Sequence, residues 1–391
     1  MTRASLSLGA LALALAGCAA TLPALPSQGG PAWTELTSAH FTLWTDASAA
    51  RGRELIAQLE HLHQIVHGVA FPDQPAGGRT LAFALRDRYE VGVFAPEIAI
   101  AYTMAGWNPA LEPVIVFDAQ TGNEDGHVLA HELTHAISFG VIKNQPIWFA
   151  EGIAQFFETT NLDSRQQDVD VGEPQPRVLQ EVRRYQLLPG PAMFACVLVA
   201  CRDQRFYMTT ALLYSYLANE RPEQLQRLQQ ELAAQNKNAW ATALPDLPPE
   251  RIDQALRAWL ATGQHRVWHF RVALQSDTVR ERKLGDGDVL AARALLHSSS
   301  RSRELATDTA KAIAADPTNL LARLMELAMN QRITPADAHA TMAAHEDDWR
   351  AWLLVVHAGA PGQERDAALA QLCTLAAADP AAMVPPKLCA K

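Results

Sequence analysis

A change in hydrophobic periodicity near Thr160 divides this chain into two parts. Before that point, three short segments have the apolar pattern of strands: residues 40–46, 80–85 and 114–119. Between the first two, apolar residues recur at helical spacing until Gly68. After Thr160 the pattern is almost entirely helical. The sequence therefore predicts an α+β part with a small mixed sheet over residues 33–160, followed by an all-α part.

A weak repetition begins near residue 286. Three pairs of helical segments follow one another with a period a little above thirty residues, and two of the pairs end in Ala-Ala-Asp-Pro. The pattern resembles degenerate tetratricopeptide units, in which stacked helix pairs bury a shared face. A plain helical bundle remains the alternative, because most consensus aromatic and glycine positions are missing. The predicted domains are residues 33–280, whose part 161–280 is helical, and a helical module at 286–391.

The N-terminal residues have the pattern of an export signal. Arg3 precedes an apolar run too short to span a bilayer, and the run ends in Leu-Ala-Gly-Cys at Cys18. This ending resembles the lipobox of bacterial lipoproteins. The resemblance implies removal of residues 1–17, lipidation of Cys18 and, with Ala19 next, an outer-membrane anchor that faces the periplasm. An ordinary secretory signal is the alternative, and residues 18–32 are predicted to form a flexible tether.

Charge and cysteine content narrow the classes of partner. The net charge is −9 and the chain has no long basic run, so neither nucleic acid nor an anionic membrane surface is a predicted partner. Four cysteines follow Cys18, and an exported chain with an even number of cysteines favours disulfides. Proximity along the chain pairs Cys196 with Cys201 and Cys373 with Cys389; free buried thiols are the alternative.

The segment VLAHELTHAI carries two histidines at helical spacing. His131 and His135 are four residues apart, so their side chains project from one face at a separation suited to a single zinc ion. Glu132 lies about 100° around the helix, where a carboxylate can serve as the base toward water at the metal. His127 lies on the same stripe, eight residues before His135. A helix rises ~12 Å over that length, so His127 cannot bind the same metal ion as both other histidines. We therefore predict that His127 is exposed or plays a supporting role.

A zinc site needs at least a third protein ligand. No histidine follows His135 until His265, so a carboxylate is the expected ligand. The segment PIWFAEGIAQFFE, residues 146–158, sets Glu151 among apolar side chains, which is costly unless the carboxylate binds a cation or a partner. Glu158 lies nearer the end of this helix and is predicted to face solvent.

The two motifs together, HELTH and P-x-W-F-A-E-G, resemble those of gluzincin metallopeptidases, in particular their peptidase-MA-like domains. The resemblance covers roughly residues 33–220. It implies a zincin-like fold that binds one Zn²⁺ per chain through His131, His135 and Glu151, with Glu132 as the general base for peptide-bond hydrolysis.

The resemblance also implies a tyrosine or histidine that stabilises the oxyanion. Tyr207 is our choice because it opens a helix after the zinc motifs, with Tyr214 and Tyr216 as rivals and a merely packed tyrosine as the alternative. Gln155, one turn after Glu151, is a candidate to orient a zinc ligand.

The expected protein is thus a lipid-anchored zinc peptidase that acts on a peptide or protein, with a helical module that recruits a substrate or a protein partner. No Gly-x-Met-Glu-Asn segment is present, which favours an endopeptidase over an aminopeptidase. The competing hypothesis is an inactive scaffold that binds protein partners through its helical repeats.

Two further predictions concern the surroundings of the site. Residues 114–119 are expected to form the edge strand on which an extended peptide binds, because Pro113 suits an edge; a core strand with no role in binding is the alternative. The histidines of the first helix, His61, His63 and His67, are expected to lie at the surface or to be satisfied by hydrogen bonds.

Overall fold

The computed structural model describes residues 22–74, 79–95, 101–104, 113–121, 126–160, 163, 165, 167–173, 182, 186–197, 202–273, 278–297, 302–378, 382, 384, 388 and 389. Within these residues the strands are β1 Trp33–Thr37, β2 Phe41–Thr45, β3 Thr80–Leu85, β4 Ala101–Met104, β5 Val114–Asp118, β6 Asp168–Val171, β7 Trp268–Arg271 and β8 Arg280–Leu284.

The helices of the described residues are α1 Ala49–Ala70, α2 Arg88–Phe94, α3 Gly126–Val141, α4 Ile147–Phe157, α5 Gly190–Phe194, α6 Gln204–Glu220, α7 Pro222–Ala233, α8 Ala239–Ala243, α9 Ile252–Thr262, α10 Asp286–His297, α11 Ser302–Ala315, α12 Leu320–Ala328, α13 Pro335–Ala344, α14 Trp349–Ala358 and α15 Gln363–Ala378. Two short 3-10 helices lie at Pro26–Gln28 and Pro249–Arg251. None of the described helices is long and apolar enough to cross a membrane.

Six strands form one mixed sheet in the order β4-β5-β3-β2-β1-β8. Strands β2, β3 and β5 are parallel neighbours, whereas β4, β1 and β8 pair antiparallel with their neighbours. Strands β6 and β7 form a separate antiparallel pair. The three strands read from the sequence are all present, and the prediction of a mixed α+β fold with a small sheet is confirmed.

The prediction that the chain after Thr160 is entirely helical is wrong, since β6, β7 and β8 lie there. The side chains of β7 and β8 are mostly exposed, so these two strands lack the apolar alternation by which a half-buried strand is found. Strand β6 does alternate, with Val169 and Val171 buried, but it is only four residues long. Backbone pairing and surface charge hold β8 instead. Its Arg282 donates 2.8 and 3.2 Å hydrogen bonds to the carboxylate of Glu35 on β1.

The prediction that residues 114–119 form the edge of the sheet is also wrong. Strand β5 lies between β3 and β4, and among the described strands β4 and β8 form the two edges of the sheet. Pro113 sits just before β5, where its missing N–H costs nothing, and its carbonyl accepts a 2.9 Å bond from the Leu81 amide.

The first helix does not end at Gly68, because α1 continues to Ala70. The absence of a side chain at Gly68 makes room for the Phe270 ring of β7.

The alternating side chains of the sheet face two different apolar layers. Leu43, Ala82 and Phe117 point into a core built with α1, α3, α4 and α6. Trp44 and Phe83 point the other way, into a core completed by α10, α12, α14 and α15. The helices after residue 286 therefore cover the second face of the same sheet.

The C-terminal helices follow one another as three pairs, α10 with α11, α12 with α13, and α14 with α15, over the segments in which the repetition was seen. Asn319, Thr334 and Asp348 cap the starts of α12, α13 and α14 with side-chain hydrogen bonds to backbone amides. The predicted disulfide between Cys373 on α15 and Cys389 is present.

Cys196 is also disulfide-bonded. Its predicted partner Cys201 and the predicted lipidation site Cys18 lie outside the described residues.

Candidate metal centre

Two successive helices bring the predicted ligands together. His131 and His135 lie on one face of α3, and Glu151 lies on α4, which packs against α3 after a short connection. The three side chains form a group whose possible ligand atoms all lie within 4.8 Å of one another. His127 is exposed and outside this group, as the length of the helical stripe predicts.

The separations match those of a tetrahedral ion. The two Nε2 atoms of His131 and His135 are 3.1 Å apart, and they lie 3.4 and 3.6 Å from Glu151 Oε2. Zinc–ligand bonds of about 2.0–2.1 Å in tetrahedral geometry place donor atoms ~3.3 Å apart. The histidine rings stand at 86° to each other, and both Nε2 atoms lie within 3.6 Å of the Glu151 carboxylate. The donor set therefore fits a zinc-like cation.

The electrostatics of the group favour a positive charge at this position. Burial by itself would raise the pKa of Glu151, but hydrogen bonds from His131 and His135 outweigh it and hold that pKa well below its usual range. Burial would likewise lower the pKa of His131, yet the carboxylates of Glu151 and Glu158 raise it to about 10. A bound cation would replace this proton, since metal ligation requires a neutral imidazole.

The outward nitrogen of His131 is held by Glu158. The ring Nδ1 lies 2.5 Å from Glu158 Oε1, and the two side chains are 15% and 16% exposed. The prediction that Glu158 faces solvent is therefore wrong, because the last turn of α4 reaches back to the first histidine of α3. A proton on Nδ1 leaves the Nε2 lone pair free for a metal, which is how outer carboxylates orient metal-binding histidines.

The side chain of Gln155, a candidate to orient a zinc ligand, donates its hydrogen bonds to two backbone carbonyls and a hydroxyl instead. Its Nε2 donates a 2.9 Å bond to the Tyr207 carbonyl and weaker 3.3 Å bonds to the Glu151 carbonyl and to Thr210. These contacts join α4 to α6. Gly152 allows the same approach, because a Cβ there would lie 2.8 Å from the Thr210 carbonyl oxygen.

Glu132, the predicted general base, lines a cleft of about 480 Å³ beside His131, His135 and Glu151. Glu132 is half-buried in its wall, and its carbonyl accepts a 2.7 Å bond from the Thr103 hydroxyl of β4. The edge strand is thus tied to α3 at the site. The cleft is lined by Tyr102, Thr103, His131, Glu132, His135, Phe139, Gln145, Ile147, Ala150, Glu151, Arg202 and Tyr207.

Tyr102 of β4 lines the cleft, and so does Tyr207, at the start of α6. Burial raises the pKa of Tyr207, and the negative charge of Glu151 adds to the effect, so the phenol stays protonated. Tyr214 and Tyr216 are buried in the core instead. Their hydroxyls contact Gln229 and Arg221, respectively.

Arg202 is a member of the site that sequence reasoning missed. Its Nη1 lies 3.4 Å from Glu151 Oε1, and its guanidinium also bonds to Tyr207. Among the described residues that line the cleft, Arg202 is the one arginine or lysine. A single arginine in a connecting segment carries no spacing signal, so only the tertiary structure places it here.

A second group of His40, Glu60 and His63 lies between α1 and the β1–β2 turn. Its rings are stacked, with centroids of His40 and His63 3.9 Å apart at 16°, so their lone pairs do not converge on one point. The Glu60 carboxylate accepts bonds of 2.6 Å from Ser38 and 2.8 Å from both the backbone and the ring of His40. This geometry is that of a buried carboxylate whose hydrogen bonds are satisfied within the fold.

The histidines of α1 are accordingly not surface residues throughout. His61 and His63 are buried and His67 is half-buried, so the surface alternative is wrong for the first two. Burial, reinforced by the charge of His40, lowers the pKa of His63 to about 3.

Comparison with known proteins adds no family to these observations. No family model matches the chain, and no curated protein is significantly similar to it. The proposed function therefore rests on the geometry of the site.

Proposed function

We propose that this protein is a zinc-dependent peptidase of the gluzincin type, with a peptidase-MA-like, zincin-like domain and an endopeptidase specificity. The observation that carries the proposal is the convergence of His131, His135 and Glu151 at tetrahedral separations in a cleft that also holds Glu132. Two imidazoles and one carboxylate leave an open position, as catalytic zinc sites require.

The three ligands would hold one Zn²⁺. Bound there, the ion would polarise a scissile carbonyl and lower the pKa of an attacking water. Glu158 keeps the His131 ring in its ligating orientation through Nδ1. Arg202, close to the other oxygen of Glu151, limits the freedom of that carboxylate to rotate.

Glu132 and Tyr207 provide the proton transfers and the charge stabilisation. The Glu132 carboxylate accepts a proton from the attacking water and delivers it to the nitrogen of the leaving amine. The protonated Tyr207 hydroxyl donates a hydrogen bond to the oxygen that becomes negative in the transition state. Arg202, bonded to Tyr207, holds the phenol at the cleft.

An extended peptide fits the open side of β4. Among the described strands β4 has a neighbour on one side only, and its Tyr102 and Thr103 line the cleft. Pairing of a peptide backbone with this edge would lay a peptide bond across the site. A protein, a free peptide or a peptidoglycan peptide satisfies this chemistry.

The remaining parts of the proposal concern location and recruitment. Cys18 would carry a lipid that anchors the protein to the outer membrane, facing the periplasm. The helices after residue 286 would form tetratricopeptide-like pairs that bind a substrate or a protein partner.

Metal content and cleavage together test the activity. The purified protein should contain about one equivalent of zinc, and Glu151→Gln should lose it because the carboxylate ligand becomes an amide. Glu132→Gln should keep the zinc and lose hydrolysis of a peptide library by about 10²-fold or more, measured by mass spectrometry of the products.

Lys143→Gln, an exposed change in the α3–α4 connection, is the matched control and should alter neither zinc content nor hydrolysis. Equal hydrolysis by the wild type and Glu132→Gln would refute the mechanism. A zinc-loaded wild type that cleaves no peptide would favour the inactive scaffold that binds partners through its helices.

A further inference from the structure

The segment that precedes β1 is folded against the body of the protein. The amide of Ser27 donates a 3.0 Å bond to Asp286 Oδ1 at the start of α10, and the Ser27 hydroxyl bonds to Asp286 Oδ2. Arg293, seven residues further along α10, donates a 2.6 Å bond to the Pro23 carbonyl. Leu22 and Leu25 pack against the core formed with the C-terminal helices. From residue 22 onward, the expected flexible tether is a docked strap.

The strap, residues 22–30, also has local structure of its own. A 3-10 turn at Pro26–Gln28 is closed by a 3.0 Å bond from the Gly30 amide to the Leu25 carbonyl. Gly30 has no room for a side chain, because a Cβ there would lie 1.8 Å from the Ala24 carbonyl oxygen. Ordered turns and specific polar contacts distinguish the strap from a solvated linker.

Docking shortens the free chain between the predicted lipid and the folded body. A flexible tether over residues 18–32 would have a root-mean-square length of roughly 20 Å and a maximum near 50 Å. With the strap docked, four residue steps separate Cys18 from Leu22, and they span at most about 14 Å. The side of α10 against which the strap lies would then stay close to the lipid headgroups.

The sheet separates this end of the molecule from the candidate metal centre. Helix α10 contributes Val289, Leu295 and Leu296 to the core on one face of the sheet. Helices α3 and α4, which carry the metal ligands, pack on the opposite face. The strap and the metal ligands therefore lie on opposite sides of the sheet.

We propose that the docked strap orients the protein on a lipid bilayer, with the strap side of α10 toward the headgroups and the catalytic cleft toward the aqueous phase. The partner surface is the bilayer that holds the lipid of Cys18, so the inference rests on the lipid anchor of the proposed function. It does not depend on catalysis. Substrates would enter the cleft from solution rather than from the membrane.

Energy transfer from the protein to labelled lipids tests this orientation. The lipidated full-length protein is reconstituted into phosphatidylethanolamine–phosphatidylglycerol vesicles that contain an acceptor-labelled lipid. Donor dyes are attached to Gly285→Cys, beside Asp286, or to Lys143→Cys, on the cleft side of the sheet. Both positions are exposed, and Gly285 has open space around its Cα.

Transfer should be at least twofold more efficient from position 285 than from position 143. The strap variant Leu25→Ser with Ser27→Ala should abolish most of that difference, whereas Glu304→Ala, an exposed acid on α11, should preserve it. Equal transfer from the two positions in the wild type would overturn the orientation.

The anchor itself is checked separately by mass spectrometry of the N-terminal peptide. An unlipidated Cys18 in protein that fails to bind vesicles would overturn the premise taken from the proposed function, and the orientation with it. Lipidated protein with equal transfer at both positions would overturn the orientation alone.

Discussion

Replacement of His63 by phenylalanine should make the protein less sensitive to acid. His63 is buried on α1, stacked on His40 and next to the Glu60 carboxylate. His67, one turn along α1, stacks on its other side. Phenylalanine keeps a ring in this stack but has no group that binds a proton. The comparison therefore isolates the protonation of one side chain.

The sign and size of the effect follow from the pKa of His63, which is about 3 in the folded protein against 6.5 for an ordinary histidine. Between these values the unfolded chain binds a proton that the folded protein does not, so the free energy of unfolding falls as the pH falls below 6.5. Each pH unit costs about 1.4 kcal/mol. The wild type should lose about 1 kcal/mol at pH 5.5 and about 3 kcal/mol at pH 4.5 relative to His63→Phe.

Urea denaturation followed by circular dichroism at pH 7.5, 6.5, 5.5 and 4.5 measures this difference, with EDTA present in both proteins so that metal release does not contribute. His357→Phe, an exposed histidine on α14, is the matched control and should follow the wild type. Parallel curves for the wild type and His63→Phe would refute the argument, since they would mean that His63 titrates alike in the folded and unfolded states.

Three other perturbations address the site and the C-terminal helices. Glu158→Gln should weaken zinc binding by about 10- to 100-fold, measured by competition with a chromophoric chelator, because a neutral amide holds the His131 ring less firmly. Tyr207→Phe should keep zinc and reduce kcat by about 10²- to 10³-fold in peptide hydrolysis, the usual effect of losing one oxyanion donor. Cys373→Ser should lower the free energy of unfolding by about 3 kcal/mol in urea titration, because the disulfide links residues 16 positions apart; an unchanged midpoint would contradict this.

The candidate metal ligands could be predicted from the sequence because their signals are local. Helical geometry alone places His131 and His135 side by side, and the position of Glu151 among apolar residues marks it as a buried acid. Glu158 and Arg202 could not be found in this way. Each reaches the site through the packing of one helix or connection on another, and nothing in their immediate sequence records that contact.

The sheet was predictable where its strands are buried and not where they are exposed. Strands β3 and β5 are apolar on both faces because helices cover both sides, and their sequences show it. Strand β8 is a charged edge strand next to β1. Charged edge strands protect a sheet from pairing with other chains. The same charges leave β8 without the apolar pattern by which a strand is predicted from sequence.

The pairing of β1 with β8 joins residues at the start of the fold to residues about 250 positions later, as the register of Trp33 with Leu284 illustrates. Contacts of such long sequence separation form slowly, because the intervening chain must be ordered before the strands can meet. Until β8 and α10 have been synthesised, Trp44 and Phe83 lack their apolar cover. A chain truncated before residue 280 would keep this apolar surface exposed permanently and should aggregate.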